Sequence, residues 1–138
     1  MWGSWRLTSS MNTMGTDCID ASVNEFRKLG YVGGEIISDA VQNCKICLLI
    51  SDRSNDCIEL VEPNDDNYQM QKILKIRGCS AYHICYEVED VESVYNDYCE
   101  KEGWINIFKP VAAVALGGRK ITYFYNTKIG FIEFVNEK

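Results

Sequence analysis

Three residues of this chain, His83, Glu59 and Glu133, have types and spacing that together could bind a metal ion. His83 is the only histidine in the sequence. Each glutamate interrupts an apolar, strand-like run, in the similar segments IELVE (58–62) and IEFVN (132–136). An imidazole and two carboxylates suit a divalent cation and leave positions open for water or substrate. Taken singly, a strand histidine is more often a hydrogen-bonded core residue, and such glutamates are more often exposed charges.

The elements around these residues occur twice in the sequence. Residues 17–63 and 89–136 each open with a helix-like pattern that stops at a glycine, Gly30 or Gly103, followed by an aromatic residue. Glycine is the usual left-handed stop of a helix. Strand-like runs then follow at 31–38, 43–50 and 56–62, and again at 104–112, 118–125 and 129–136.

A strand also precedes each helix, at about 10–16 in the first copy and at 82–88 in the second. The order is therefore β-α-β-β-β, used twice, which predicts an α+β fold in a single domain. The predicted boundaries are residues 1–138 for the domain, 8–63 for module one, 64–79 for a linker with a short helix, and 80–138 for module two.

Alternation along the strands predicts the face that each candidate ligand occupies. The apolar residues that alternate with His83 should meet the helix, which sends His83 to the other face of the sheet. The apolar neighbours of Glu59 and Glu133 should likewise face the helices, which sends both glutamates to the same face as His83. When the two helix starts are aligned, His83 corresponds to Met11. The sheet face away from the helices is therefore predicted to carry one histidine and two glutamates.

Charge and composition narrow the class of function. The chain has 20 acidic and 14 basic residues, a formal net charge of −6, which argues against nucleic acid or an anionic membrane surface as partner. No apolar run approaches the roughly 20 residues of a membrane span, and the start, MWGSWRLTSSMNTMG, lacks the apolar core of a secretory signal. A small-molecule substrate remains compatible with this charge.

The seven cysteines indicate reduced thiols and a cytoplasmic location, since the count is odd and no export signal precedes them. Cys44 and Cys47 form a CxxC pattern. They lie in the strand-like run NCKICLLI, where residues three apart face opposite ways. We therefore interpret them as buried, inert thiols rather than as a redox pair.

Several motifs together resemble a known family. The segments LGYVGGEIISD, KICLLI, IELVEP, YHICYEVEDVES and IEFV, spread over about 17–135, resemble the vicinal oxygen chelate superfamily. Within it they are similar to the bacterial glyoxalase-like branch, close to lactoylglutathione lyase and methylmalonyl-CoA epimerase. The resemblance implies that the paired modules form a cupped, mixed sheet around a divalent metal, commonly in a homodimer.

The resemblance also implies four metal ligands, one from the first strand and one from the closing strand of each module. His83, Glu59 and Glu133 match three of them, and the fourth, a histidine in the family, falls at Met11. A thioether is a poor ligand for a hard cation. Three explanations stay open. The N-terminal segment is altered, or three protein ligands and water hold the metal, or this protein no longer uses a metal.

The implied activity is that of a metal-dependent lyase or isomerase acting on a small carbonyl compound or its thiol adduct. The metal (Ni, Zn, Co, Mn or Mg) would stabilise an enediolate, with Glu133 as the catalytic base. Epimerase relatives carry a second catalytic carboxylate on the middle strand of module one, where Lys45 stands here, so epimerisation is less expected. The alternative is a non-catalytic binding module with a degraded metal site.

Two basic residues are candidates for binding an anionic part of the substrate, Lys45 and Arg119. Arg119 lies in the turn GGRK (117–120), where glycines let the backbone approach a ligand and a guanidinium suits carboxylate or phosphate. The competing interpretation is an ordinary hairpin turn with solvated bases.

Overall fold

The computed structural model describes residues 7–138, and of residues 7–10 the backbone alone. The first six residues, part of the segment that we expect not to be a secretory signal, lie outside it. In chain order the elements are β1 (Leu7–Gly15), α1 (Ile19–Arg27), β2 (Tyr31–Gly33), β3 (Ile37–Asp39), β4 (Cys44–Ser51), β5 (Cys57–Pro63), α2 (Tyr68–Arg77), β6 (Ser80–Val88), α3 (Val91–Cys99), β7 (Trp104–Ala112), a 3-10 turn (Val114–Leu116), β8 (Lys120–Asn126) and β9 (Gly130–Asn136).

These residues divide into two compact units. The first is Met11–Tyr82, which contains the first module and α2, and the second is His83–Lys138 together with residues 7–10. None of the helices in residues 7–138 has the length and apolar character needed to cross a membrane.

The first unit is a mixed sheet with one helix packed on one face. Its strands run in the order β2-β4-β5-β1, with β3 also pairing with β4. β1 and β5 are parallel, whereas β4 pairs antiparallel with β2, β3 and β5. Two α1 residues at helical spacing, Ile19 and Val23, are buried. The sheet residues that bury against them are Cys47, Leu49, Ile58 and Leu60.

The second unit repeats this plan. Its strands run in the order β6-β9-β8-β7, with β6 and β9 parallel and the other pairs antiparallel. α3 contributes Val91, Val94 and Tyr98, at the spacing of one helix face. They pack with Val88, Phe124, Ile132 and Phe134 in one buried cluster.

The predicted fold, α+β with two βαβββ modules, is confirmed, with one local difference. The run predicted as one strand over 31–38 is two short strands, β2 and β3. The chain breaks at Gly34, whose N–H donates to the Leu48 carbonyl at 2.9 Å. A Cβ at Gly34 would lie 3.2 Å from that same oxygen, so glycine permits the close approach. In the second module β7 stays continuous but shifts register at Phe108.

Glycine ends both modular helices as the sequence predicts. Gly30 and Gly103 have φ of 91° and 84°, in the left-handed region that side chains with a Cβ rarely adopt. Each glycine therefore reverses the chain from the helix into the next strand.

Candidate metal centre

The second module brings together two of the predicted metal ligands. His83 lies on β6 and Glu133 on β9, neighbouring parallel strands in the register Cys85↔Glu133. Nε2 of His83 is 3.0 Å from Oε1 of Glu133, and their side chains are 1% and 2% exposed. Both point away from α3, because Ile132 and Phe134, the neighbours of Glu133 in sequence, pack in the α3 core.

A third polar residue of this cluster, Tyr123, was missed by the sequence analysis. It lies directly across from Glu133 in the antiparallel pair β8–β9. Its hydroxyl is 2.9 Å from Nε2 of His83, and the two rings meet edge to face at 4.8 Å. The ring of Phe108 also packs against the tyrosine ring, with 5.1 Å between the ring centroids. Pairing the last two strands in register would have placed Tyr123 beside Glu133, but a tyrosine in an aromatic strand is ordinarily packing.

The first module has the equivalent arrangement with different side chains. Glu59 on β5 is 4% exposed, and its Oε1 accepts a hydrogen bond from the Thr13 hydroxyl at 3.1 Å. Thr13 pairs with Glu59 in the register that Cys85 and Glu133 adopt in the second module. Met11, two residues before Thr13, therefore holds the position of His83 in the repeat. Its sulfur lies 3.4 Å from the Cys57 sulfur.

The donors of the second module fit a divalent cation. Imidazole nitrogen and carboxylate oxygen bind such ions at about 2.0–2.2 Å, so donors in adjacent octahedral positions lie about 3 Å apart. The separation of 3.0 Å between His83 and Glu133 matches this value.

A match to a protein-family model shows how the chain is related to known proteins. The model of the glyoxalase/bleomycin resistance protein/dioxygenase superfamily matches residues 14–123. The chain belongs to this superfamily. The match confirms the resemblance that the motifs indicated. No protein of curated function matches the sequence.

The fold of this chain is similar to that of several solved structures. Methylmalonyl-CoA epimerase from Mycobacterium tuberculosis is similar at a TM-score of 0.85 and 17% identity, over 100% of this chain and 93% of that one. A hypothetical protein from Bacillus halodurans C-125 gives 0.80 at 21% identity, over 99% and 96%. A Streptomyces coelicolor methylmalonyl-CoA epimerase variant in complex with 2-nitronate-propionyl-CoA gives 0.81 at 20%, over 96% of both. At these identities the likeness establishes the fold.

Lys45, a predicted substrate-binding residue in this superfamily member, lies on the opposite sheet face from Glu59. Its alternating neighbours Cys47 and Leu49 belong to the α1 core. Lys45 pairs across the sheet with Glu62, and its Nζ is 3.6 Å from a Glu62 carboxylate oxygen. The placement puts the ammonium group on the helix side of the sheet.

The other predicted substrate-binding residue, Arg119, contacts its own module. Its Nη1 donates to Glu87 at 2.9 Å and to the Asn136 carbonyl at 3.1 Å. Its Nε donates to the Leu116 carbonyl at 3.1 Å. The guanidinium thus ties the 3-10 turn to β6 and β9, so a bound anion would compete with these contacts.

Proposed function

We propose that this protein is a glyoxalase-type, metal-dependent lyase or isomerase acting on a small carbonyl compound or its thiol adduct. The observation that carries the proposal is the buried contact of 3.0 Å between His83 and Glu133. We propose that these two residues hold the ion together with Glu59, the third ligand that the family resemblance implies. Membership of the superfamily supports this assignment.

The residues of the second module have distinct roles in this proposal. A divalent ion at the site would polarise the substrate carbonyl and so acidify the neighbouring C–H. The Glu133 carboxylate would take that proton and return it to the adjacent carbon. The hydroxyl proton of the first carbon passes to the oxygen of the second carbon, so the overall reaction is a balanced isomerisation of the hemithioacetal to a thioester. His83 and Glu133 are held in place by the strand register and by burial.

Metal loading and turnover of the hemithioacetal of methylglyoxal and glutathione test the proposal. Calorimetry with Ni²⁺, Co²⁺, Zn²⁺, Mn²⁺ and Mg²⁺ gives the affinity, and absorbance of the thioester product gives the rate. We expect His83→Ala to abolish metal binding and Glu133→Gln to lower kcat by about 10²–10⁴, the usual contribution of a general base. Glu137→Gln, the same change at an exposed position just after β9, should leave both unchanged.

A non-catalytic binding module is the second candidate. The contact of Met11 with Cys57 favours it, because a thioether stands where the family has a histidine ligand. Metal binding with neither turnover of the hemithioacetal nor proton exchange of an acyl-CoA would favour this candidate over the enzyme. Since methylmalonyl-CoA epimerases share the fold, deuterium exchange into an acyl-CoA is the second activity to try.

We also propose a homodimer located in the cytoplasm, as the resemblance and the cysteine content imply. An apolar pair on β2 and β4 is consistent with a partner. Val32 and Ile50 lie opposite each other and are 55% and 58% exposed. Light scattering after size-exclusion chromatography measures the mass directly, and a monomer at micromolar concentration would contradict the dimer.

A further inference from the structure

We propose that the phenol oxygen of Tyr123 is a ligand of the metal ion, supplied by the module that also carries His83. The inference rests on the metal site of the proposed function and extends it by one donor.

The first reason to assign Tyr123 as a ligand is the pair of contacts that Nε2 of His83 makes. Glu133 Oε1 lies 3.0 Å from this nitrogen and the Tyr123 hydroxyl lies 2.9 Å from it. An imidazole nitrogen has one bonding position, which holds either a proton or a lone pair. Two oxygens at hydrogen-bond distance therefore share one partner atom. A cation on the lone pair of Nε2 could bond to both oxygens at once.

The second reason is the separation between the donor atoms. Donors bound at about 2.1 Å in adjacent positions around a divalent ion lie about 3 Å from one another. The separations of 2.9 Å and 3.0 Å both match, so Tyr123 meets the same geometric condition as Glu133.

The third reason is a difference between the two modules in the residue that pairs with the closing-strand glutamate. Tyr123 pairs directly with Glu133, and the residue that pairs in the same way with Glu59 is Leu48, which has no donor atom. The module that lacks a histidine at Met11 therefore also lacks an oxygen at the β4 position that corresponds to Tyr123. The module with His83 has both, which concentrates nitrogen and oxygen donors around one ion.

Burial and packing hold the tyrosine oxygen in place. The Tyr123 residue is 8% exposed, and its ring contacts the rings of His83 and Phe108. A buried phenol needs a polar partner. Oxygen donors suit hard divalent cations, so a tyrosine oxygen is a suitable ligand for the ion.

Ferric ion is the probe that separates ligation from a hydrogen bond to His83, because a tyrosine oxygen bound to ferric ion gives a visible charge-transfer absorption. We expect this band, with tyrosinate ring modes in resonance Raman, in the ferric wild-type protein. Tyr123→Phe should lose the band and bind Mn²⁺ about 10–100-fold more weakly. Tyr125→Phe is the matched control, since Tyr125 lies two residues along the same strand against Phe131. It should keep both properties.

Each outcome bears on the proposal. Stoichiometric ferric binding without a charge-transfer band in the wild type would overturn ligation by Tyr123 and leave the proposed metal site standing. Failure of every ion to bind would overturn both. A band without turnover of the hemithioacetal would support the ligand while contradicting the proposed activity. The Raman spectrum of the wild type decides the question even when Tyr123→Phe fails to fold.

Discussion

The side-chain oxygen of Asn136 accepts a hydrogen bond of 2.7 Å from the backbone N–H of Val91. Glu62 makes the same contact with Ile19 in the first module, at 2.9 Å. In both modules a residue near the end of the closing strand thus satisfies the first amide of its own helix. The first turn of a helix has unsatisfied N–H groups, so this contact fixes the helix to the sheet.

Asn136→Ala should lower the free energy of unfolding by about 1 kcal/mol, within the 0.5–2 kcal/mol range of lost helix caps. The measurement is urea denaturation followed by circular dichroism. Asn136→Asp keeps an acceptor oxygen, as the first module does with Glu62, and should retain most of the stability. Equal loss in both variants would contradict a capping role.

The pH dependence of stability should contain a contribution from Asp90, the N-cap of α3. A hydrogen bond from the Ser93 hydroxyl, then backbone N–H groups of Glu92 and Ser93, lower the pKa of its carboxyl below the ordinary value. Because the folded pKa lies below the unfolded one, this stabilisation is present above about pH 4 and is lost as the pH falls through the folded value.

Urea titrations of Asp90→Asn at pH 7 and pH 3 measure this contribution, since asparagine keeps the cap without the charge. The stability gap to the wild type should narrow at pH 3. Asp65→Asn, in the exposed loop before α2, is the control for loss of one charge. A gap for Asp90→Asn that widens on acidification would contradict the assignment.

Cys44 should resist alkylation in the native protein. Burial, with smaller effects of the Asp39 and Glu59 charges, raises the pKa of its thiol to about 12, so the reactive thiolate is scarce at pH 8. The exposed thiols of Cys18, Cys79 and Cys99 are the internal controls. Iodoacetamide followed by peptide mass spectrometry should label these three first, and Cys44 only after unfolding. Labelling of Cys44 at the same rate would show that the first module opens readily.

Met11→His should tighten metal binding if position 11 supplies a ligand, as the family resemblance implies. Outer partners of metal ligands are worth about 10–100-fold in affinity, so a restored ligand should gain about tenfold or more. Calorimetry with Ni²⁺ measures the change. Asn12→His is the control, because it puts the same side chain one residue away, on the other face of β1. Equal affinities for both variants would contradict the alignment of Met11 with His83.

Some of these contacts follow from sequence and some do not. The doubled phrases IELVE and IEFVN, together with the stop glycines Gly30 and Gly103, were sufficient to predict two βαβββ modules. Alternation around His83 and Glu133 predicted their shared face, because Tyr86 and Val88 on one strand and Ile132 and Phe134 on the other alternate with them. The break at Gly34 was missed, since it depends on how closely the neighbouring strand approaches.

The sequence also did not predict which face of the sheet Lys45 occupies. Its strand, CKICLLIS, is apolar on both faces, with Cys44 and Ile46 buried as well as Cys47 and Leu49. Where both faces of a strand are buried, alternation carries no information about direction.

The sequence by itself determined the repeat, the helices and the faces of β5, β6 and β9, because these depend on patterns within short segments of the chain. Only the tertiary structure decided which side chains touch. The register of β8 on β9 places Tyr123 beside Glu133, and the fold brings Arg119 to Glu87, 32 residues away in sequence. Such contacts depend on how whole strands and turns pack in three dimensions, which alternation within a single strand does not determine.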